Sequence, residues 1–135
     1  MRYVPAILMM AICGPAFADG FGFRTPSANI YCNGQLDGAN LTCIIVEKSG
    51  QPPRPKPVSC GGNWGHSFSL DETGPARMDC VGNGSLRKSS YSDVANYGVA
   101  GSFGKINCLS QKTGFQCTNA SGHGFFLSRR VQRVY

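Results

Sequence analysis

Ile30-Tyr-Cys-Asn-Gly-Gln-Leu-Asp-Gly-Ala-Asn-Leu-Thr-Cys43 places two cysteines eleven positions apart around an Asp-Gly pair. Runs rich in apolar, aromatic and β-branched residues flank that pair, over 28–33 and 40–47. If Cys32 faces Cys43, paired positions sum to 75, and the turn centres between Asp37 and Gly38. Asp-Gly is a favoured two-residue hairpin loop because both positions need positive φ. Directly opposite Cβ atoms also lie close enough for a disulfide. Turn chemistry and cysteine spacing therefore point separately to one β-hairpin, bridged Cys32–Cys43.

The same reasoning applies near the other end of the chain. Cys108 and Cys117 sum to 225, which centres a turn on Lys112-Thr113 with Gly114 following. That suits a type I turn with a glycine bulge joining strands over 103–109 and 114–119. A further hairpin is predicted over 66–71 and 75–81, around Asp71-Glu72-Thr73-Gly74. Phe21 to Thr25 reads as a first strand ended by Pro26, and His123 to about Arg130 as the last. Residues 49–58 hold Pro52, Pro53, Pro55 and Pro57 and predict a stiff extended connector. Residues 81–101, with Tyr91 and Tyr97, read as a long surface loop. No window carries sustained helical periodicity. The expected fold is all-β: a small, disulfide-stabilised single domain of about three β-hairpins, a barrel or a sandwich.

The N-terminus points to export. Arg2, the apolar run Val4 to Ile12 and Ala16-Phe17-Ala18 have the layout of a signal peptide over 1–18, cleaved before Asp19. The apolar run is shorter than the 20 or so residues that span a bilayer. Cys13 follows Ile12 rather than the small residue of a lipoprotein site, so it leaves with the signal. The exported domain is then 19–135, a soluble secreted or periplasmic chain with no membrane span, read as a monomer. It retains six cysteines, and an even number in an exported chain predicts a disulfide framework. With Cys32–Cys43 and Cys108–Cys117 assigned locally, Cys60–Cys80 follows by elimination. Loss of Arg2 leaves twelve basic against seven acidic side chains, a net charge of +5. That balance favours anionic partners such as a cell-envelope component.

Two stretches echo each other. Cys60 to Leu70 and Cys117 to Leu127 both read Cys-x-x-x-x-Gly-His-x-Phe-x-Leu, and they hold the chain's two histidines, His66 and His123. Strand alternation puts each histidine on the face of its phenylalanine and leucine, at the rim of a core. The sharper reading is acid–base chemistry. One imidazole accepts a proton and the other donates it, with Lys105 or Lys112 beside a phosphorane, as in a ribonuclease-type phosphodiesterase. Asp71, Asp79 and Asp93 are the carboxylates that could complete a metal site, but no ligand spacing is diagnostic. No serine-nucleophile elbow, phosphate loop or nucleotide fingerprint occurs, and no cofactor is expected. Trp64, Tyr97, Arg129 and Arg130 are candidates for a ligand surface, and Arg87, Lys88 and Arg133 for an extended basic patch.

Four motifs carry a family resemblance: Phe23-Arg-Thr-Pro-Ser-Ala-Asn-Ile-Tyr-Cys32, Trp64-Gly65, Asn96-Tyr97-Gly98 and Gly122-His-Gly-Phe-Phe-Leu-Ser-Arg129. With the six cysteines between them, the chain resembles a group of small exported bacterial proteins known only as a domain of unknown function. The resemblance implies an exported, disulfide-bonded bacterial domain and carries no activity. Ala28 departs from the glycine common in that group before Asn-Ile. The leading functional expectation is a non-enzymatic periplasmic or secreted binding or envelope-associated module. The alternative is a small basic hydrolase using His66, His123 and Lys105.

Overall fold

The computed structural model describes residues 20–82, 86 and 93–135. The expected signal segment, Cys13, Arg87, Lys88 and Tyr91 lie outside the described residues. The chain forms two five-stranded antiparallel sheets, and each is a meander in which neighbours in sequence are neighbours in space. The first comprises β1 (Gly20–Arg24), β2 (Ile30–Gln35), β3 (Asn40–Ile45), β4 (Asn63–Asp71) and β5 (Arg77–Val81). The second comprises β6 (Ala100–Phe103), β7 (Ile106–Gln111), β8 (Gly114–Thr118), β9 (Gly124–Leu127) and β10 (Gln132–Val134). Among the described residues no helix is long and apolar enough to cross a membrane.

The hairpin arithmetic matches the pairing register. Cys32 lies opposite Cys43, and Cys108 opposite Cys117. The first turn differs from the expected two-residue Asp-Gly loop: it runs over 36–39, with Gly38 at φ 67° and Asp37 outside the positive-φ region. Disulfides join both pairs, and a third joins Cys60 to Cys80. A bridge of this kind contributes about 2–4 kcal/mol by restricting the unfolded chain.

The all-β expectation holds, but three hairpins understate the strand count. Residue Phe103 belongs to β6, and a Gly104-Lys105 turn with Gly104 at φ 59° starts β7 afresh at Ile106. The expected last strand stops at Leu127. There Ser128 Oγ accepts from Val131 N–H and donates to Val131 O, turning the chain back as β10. The expected long loop adds a parallel bridge from Val94 to Arg24, then bonds at Gly98 and Val99 to Ser110 before entering β6. One segment thus spans from the β1 edge to the second sheet and closes that side.

The two meanders match strand for strand. One row runs Cys32, Cys43, Phe68, Met78 across β2 to β5. The other runs Cys108, Cys117, Phe125, Val134 across β7 to β10. Ile30 and Ile106 each stand two before the first cysteine, and Leu41 and Phe115 two before the second. Leu41 pairs with Leu70, and Phe115 with Leu127. The echo seen in the sequence is therefore part of a longer repeat, and one feature of it is corrected. Gly-His-x-Phe-x-Leu is equivalent in the two copies, whereas Cys60 and Cys117 are not. Cys117 corresponds to Cys43, and Cys60 belongs to a bridge with no counterpart in the second sheet.

The sheets pack face to face as a sandwich. Phe68 meets Phe125 at 5.9 Å between ring centroids, Phe21 stacks on Phe103 at 4.2 Å, and Phe23 meets Phe115 at 5.6 Å. Leu41, Ile45, Leu70, Ile106 and Leu127 are fully buried around them. Strand β4 runs opposite to β9 across this core. The turn after β4 bonds the turn before β9, through Ala120 N–H to Glu72 O and Asn119 Nδ2 to Asp71 O and Gly74 O. The chain before β4 bonds the chain after β9, through Ser49 N–H to Arg129 O.

The proline-rich connector between β3 and β4 is tied back onto the first sheet. Trp64 Nε1 donates to Arg54 O, Arg54 Nη1 donates to Ala76 O, and Cys60 is bridged to Cys80. Ser67 and Ser69 point away from Phe68 yet are buried, on the strand that carries this connector. Both donate to Asp79 Oδ2, and Thr42 Oγ1 donates to Ser69 Oγ. The alternation expected for β4 is thus masked: both of its faces are covered.

Candidate functional site

A cleft of about 200 Å³ opens at one end of the sandwich. Three turns from distant parts of the chain build it. The β1–β2 turn supplies Thr25, Ser27 and Asn29; the β7–β8 turn supplies Gln111, Lys112 and Gly114; the β9–β10 turn supplies Ser128 and Arg129. Tyr97 lines one side, and Ile30, Phe115 and Leu127 form an apolar floor where the core begins.

Its rim is rigid by hydrogen bonding. Thr25 Oγ1 accepts from Ile30 N–H, and Thr25 N–H donates to Ile30 O. Asn29, buried, donates from Nδ2 to Glu47 O and accepts from Glu47 N–H at Oδ1, which fixes the start of the connector. Glu47 then places a carboxylate 3.2 Å from Arg129 Nη1, both side chains being exposed. Among the described residues no salt bridge involves Lys112. Tyr97 is 42% exposed. The opening therefore presents an ammonium, a guanidinium, a phenol, hydroxyls and an amide around a shallow apolar floor. That set suits recognition of a polar anion with an apolar ring face.

Many of the charged residues sit toward one end or the other, while Arg54, Lys56, Asp79 and Arg133 lie along the connector and strands. Lys112 and Arg129 line the cleft, and Arg24, Lys48 and Arg130 lie toward this end, against Glu47 and Asp93. Asp37, Asp71 and Glu72 stand at the other, with Arg77 and Lys105. Arg77 is bound to Asp71 at 2.7 Å. That hydrogen bond holds its pKa above the ordinary value against partial desolvation, helped by the charges of Asp71 and Asp79.

The strand equivalence shows where a second cleft would lie. The turns matching the three above are β6–β7, β2–β3 and β4–β5, at the opposite end. There the space is filled. Lys105 N–H donates to Glu72 Oε2, and Gly104 sits so close that an added Cβ would come within 2.6 Å of Ala39 Cβ. One end of a doubled fold is plugged and the other is open.

The residues singled out from sequence scatter around this frame. Tyr97, Lys112 and Arg129 converge on the cleft, and Arg130 is exposed beside it. Trp64 is half-buried, its indole N–H spent on the connector. Arg133 lies over the Phe126 ring, 5.6 Å from its centroid. His66 donates from Nδ1 to Ile45 O at 2.7 Å, and His123 Nδ1 faces Tyr135 O at 3.3 Å. Each imidazole is thus tied to the main chain of an adjoining strand or segment. His66 stands at the cleft end of β4, and His123 in the turn against Asp71 and Gly74. The five steps along β4 from His66 to Asp71 alone span roughly 16 Å. Lys105 shares the end of His123, not that of His66. Among the described residues no three His, Cys, Asp or Glu side chains group as metal ligands. Asp71 is held by Arg77, and Asp79 by two serines.

Glu47 and Gln111 have no signal of their own in the sequence, and Thr25, Ser27, Asn29 and Ser128 stand out there only as members of two resemblance motifs, with no role attached. They read as turn residues, and only the stacking of the two sheets makes them one surface. A family model described as a family of unknown function (DUF6636) matches residues 4–135. No curated protein and no solved structure matches the chain.

Proposed function

The chain belongs to that family of unknown function, and from this premise we propose an exported, disulfide-bonded binding or envelope-associated module that is not an enzyme and takes an anionic envelope component. The open basic cleft carries this reading: Lys112, Arg129 and Tyr97 converge there while the equivalent space at the far end is plugged. Three bridges, with Cys32, Cys43 and Cys117 almost inaccessible, fit an oxidising compartment. The phosphodiesterase alternative requires two imidazoles within hydrogen-bonding reach of one phosphate. Placement of His66 and His123 at opposite ends speaks against it.

The test is retention of the disulfide-bonded protein on an immobilised acidic polysaccharide against a neutral one, over a salt series. Retention on the acidic polymer alone, falling steeply with salt and lost in Lys112→Ala/Arg129→Ala, is the expected result. Equal behaviour on both polymers overturns the reading.

A further inference from the structure

Resting on that reading of the cleft, we propose that its ligand is a carboxylated sugar unit of an acidic polysaccharide, and that Glu47 occupies the ligand's place on Arg129 until it binds. Size limits the ligand first. At about 200 Å³ the cleft is smaller than the pockets of drug-sized molecules. It accommodates a single ring, with the rest of a polymer running out through the open mouth.

The lining then specifies the chemistry. A simple phosphate site needs cations and N–H donors but no apolar floor. Here the exposed Tyr97 ring lines one side of the opening, a surface that suits the C–H face of a sugar, above a floor of Ile30, Phe115 and Leu127 that is itself almost wholly buried. Ser27 and Gln111 are exposed on the rim and supply hydroxyl and amide groups for ring hydroxyls. Lys112 and Arg129 supply the positive charge, and a guanidinium pairs a planar carboxylate through two parallel bonds.

Glu47 is the observation that selects a carboxylate. Its main chain is clamped on both sides by Asn29, at 2.9 Å and 2.7 Å, so its side chain starts from a fixed point beside the rim. Its carboxylate contacts Arg129 at 3.2 Å with both partners solvent-exposed. Such a pair is weak and exchangeable. The protein therefore carries its own carboxylate on the arginine, and a ligand carboxylate replaces it with the same chemistry. No bond is made or broken; the exchange is one ion pair for another, and Glu47 swings into solvent.

Isothermal titration of the disulfide-bonded protein with a galacturonic acid trimer tests this, with a glucose trimer and inorganic phosphate as comparisons. The uronate is expected to bind and the neutral trimer not to. Arg129→Ala weakens uronate binding about tenfold or more, the loss expected for a charge-assisted carboxylate contact. Glu47→Gln strengthens it by about two- to fivefold, the range of an exposed ion pair. Unchanged thermal melting of both variants shows that the fold is intact. Phosphate binding as tightly as the uronate overturns the saccharide, and a Glu47→Gln variant no tighter than the parent overturns the displacement. No uronate binding, with polymer retention intact, overturns the ligand class and leaves the basic cleft as the binding site. Loss of polymer retention as well removes both.

Discussion

The two sheets are one five-stranded meander written twice, and two of their differences bear on the site. The first carries a long connector between β3 and β4, with four prolines and its own disulfide, where the second joins β8 to β9 by a short turn held by Asn119. The first also opens its β4–β5 turn with an acid, Glu72, which plugs the far cleft, while the second follows β9 with Ser128 and Arg129, which line the open one. Shared positions are core positions, and unshared ones are turns. The lesson is that the repeat encodes the sandwich and its departures encode the site.

The comparison is broken or sharpened first in the core. Phe68→Ala and Phe125→Ala each delete a fully buried ring at an equivalent position, and each should cost about 3–5 kcal/mol by urea unfolding. Because the rings touch at 5.9 Å, the double variant should cost less than the sum. A much smaller cost for one of them would end the equivalence. Next come the hairpin bridges. Replacing Cys32 and Cys43 together by alanine, or Cys108 and Cys117, should each remove about 2–4 kcal/mol, and the two losses should agree within about 1 kcal/mol.

The plugged and open ends separate at a lower magnitude. Gly104→Ala forces a Cβ against Ala39 in a left-handed turn residue and should destabilise by about 1–3 kcal/mol. Ser27→Ala on the open rim should change stability by less than about 0.5 kcal/mol. The smallest effect is a gain. Ala28 holds φ 55°, a conformation that costs a non-glycine residue, so Ala28→Gly should raise stability by up to about 1 kcal/mol in thermal melting.

That alanine shows how far the sequence could be read. Its departure from the glycine of the resembling group was visible, but its backbone angle was not. The two cysteine-bridged hairpins were legible in register because the turn residues centre where the cysteine spacing does, although the first turn opens to four residues around Gly38. Strands β6 and β10 were not, since four and three residues such as Ala-Gly-Ser-Phe and Gln-Arg-Val carry too little alternation to register. The histidines were conspicuous for the wrong reason. A motif repeated on β4 and β9 invites pairing, yet those strands run in opposite directions across the core, so the repeat itself sends His66 and His123 to opposite ends. Of the cleft, the sequence marked Tyr97, Lys112 and Arg129 individually. Their convergence depends on a sheet-to-sheet alignment that no local pattern records.

The three disulfides have a further consequence for how the molecule assembles. Each joins residues 9, 11 or 20 positions apart and closes within one sheet. None of them fastens the first sheet to the second. Oxidation can therefore follow the chain in order, each pair meeting as soon as its own hairpin zips, with short loops that close quickly. The sandwich itself is held without covalent help, by phenylalanine and aliphatic contacts in the core and by hydrogen bonds between turns, such as Asn119 to Asp71 and Gly74, at its ends. Denaturant should part the two sheets while each is still covalently pinned, and reduction should matter most to the separated leaves rather than to the seam between them.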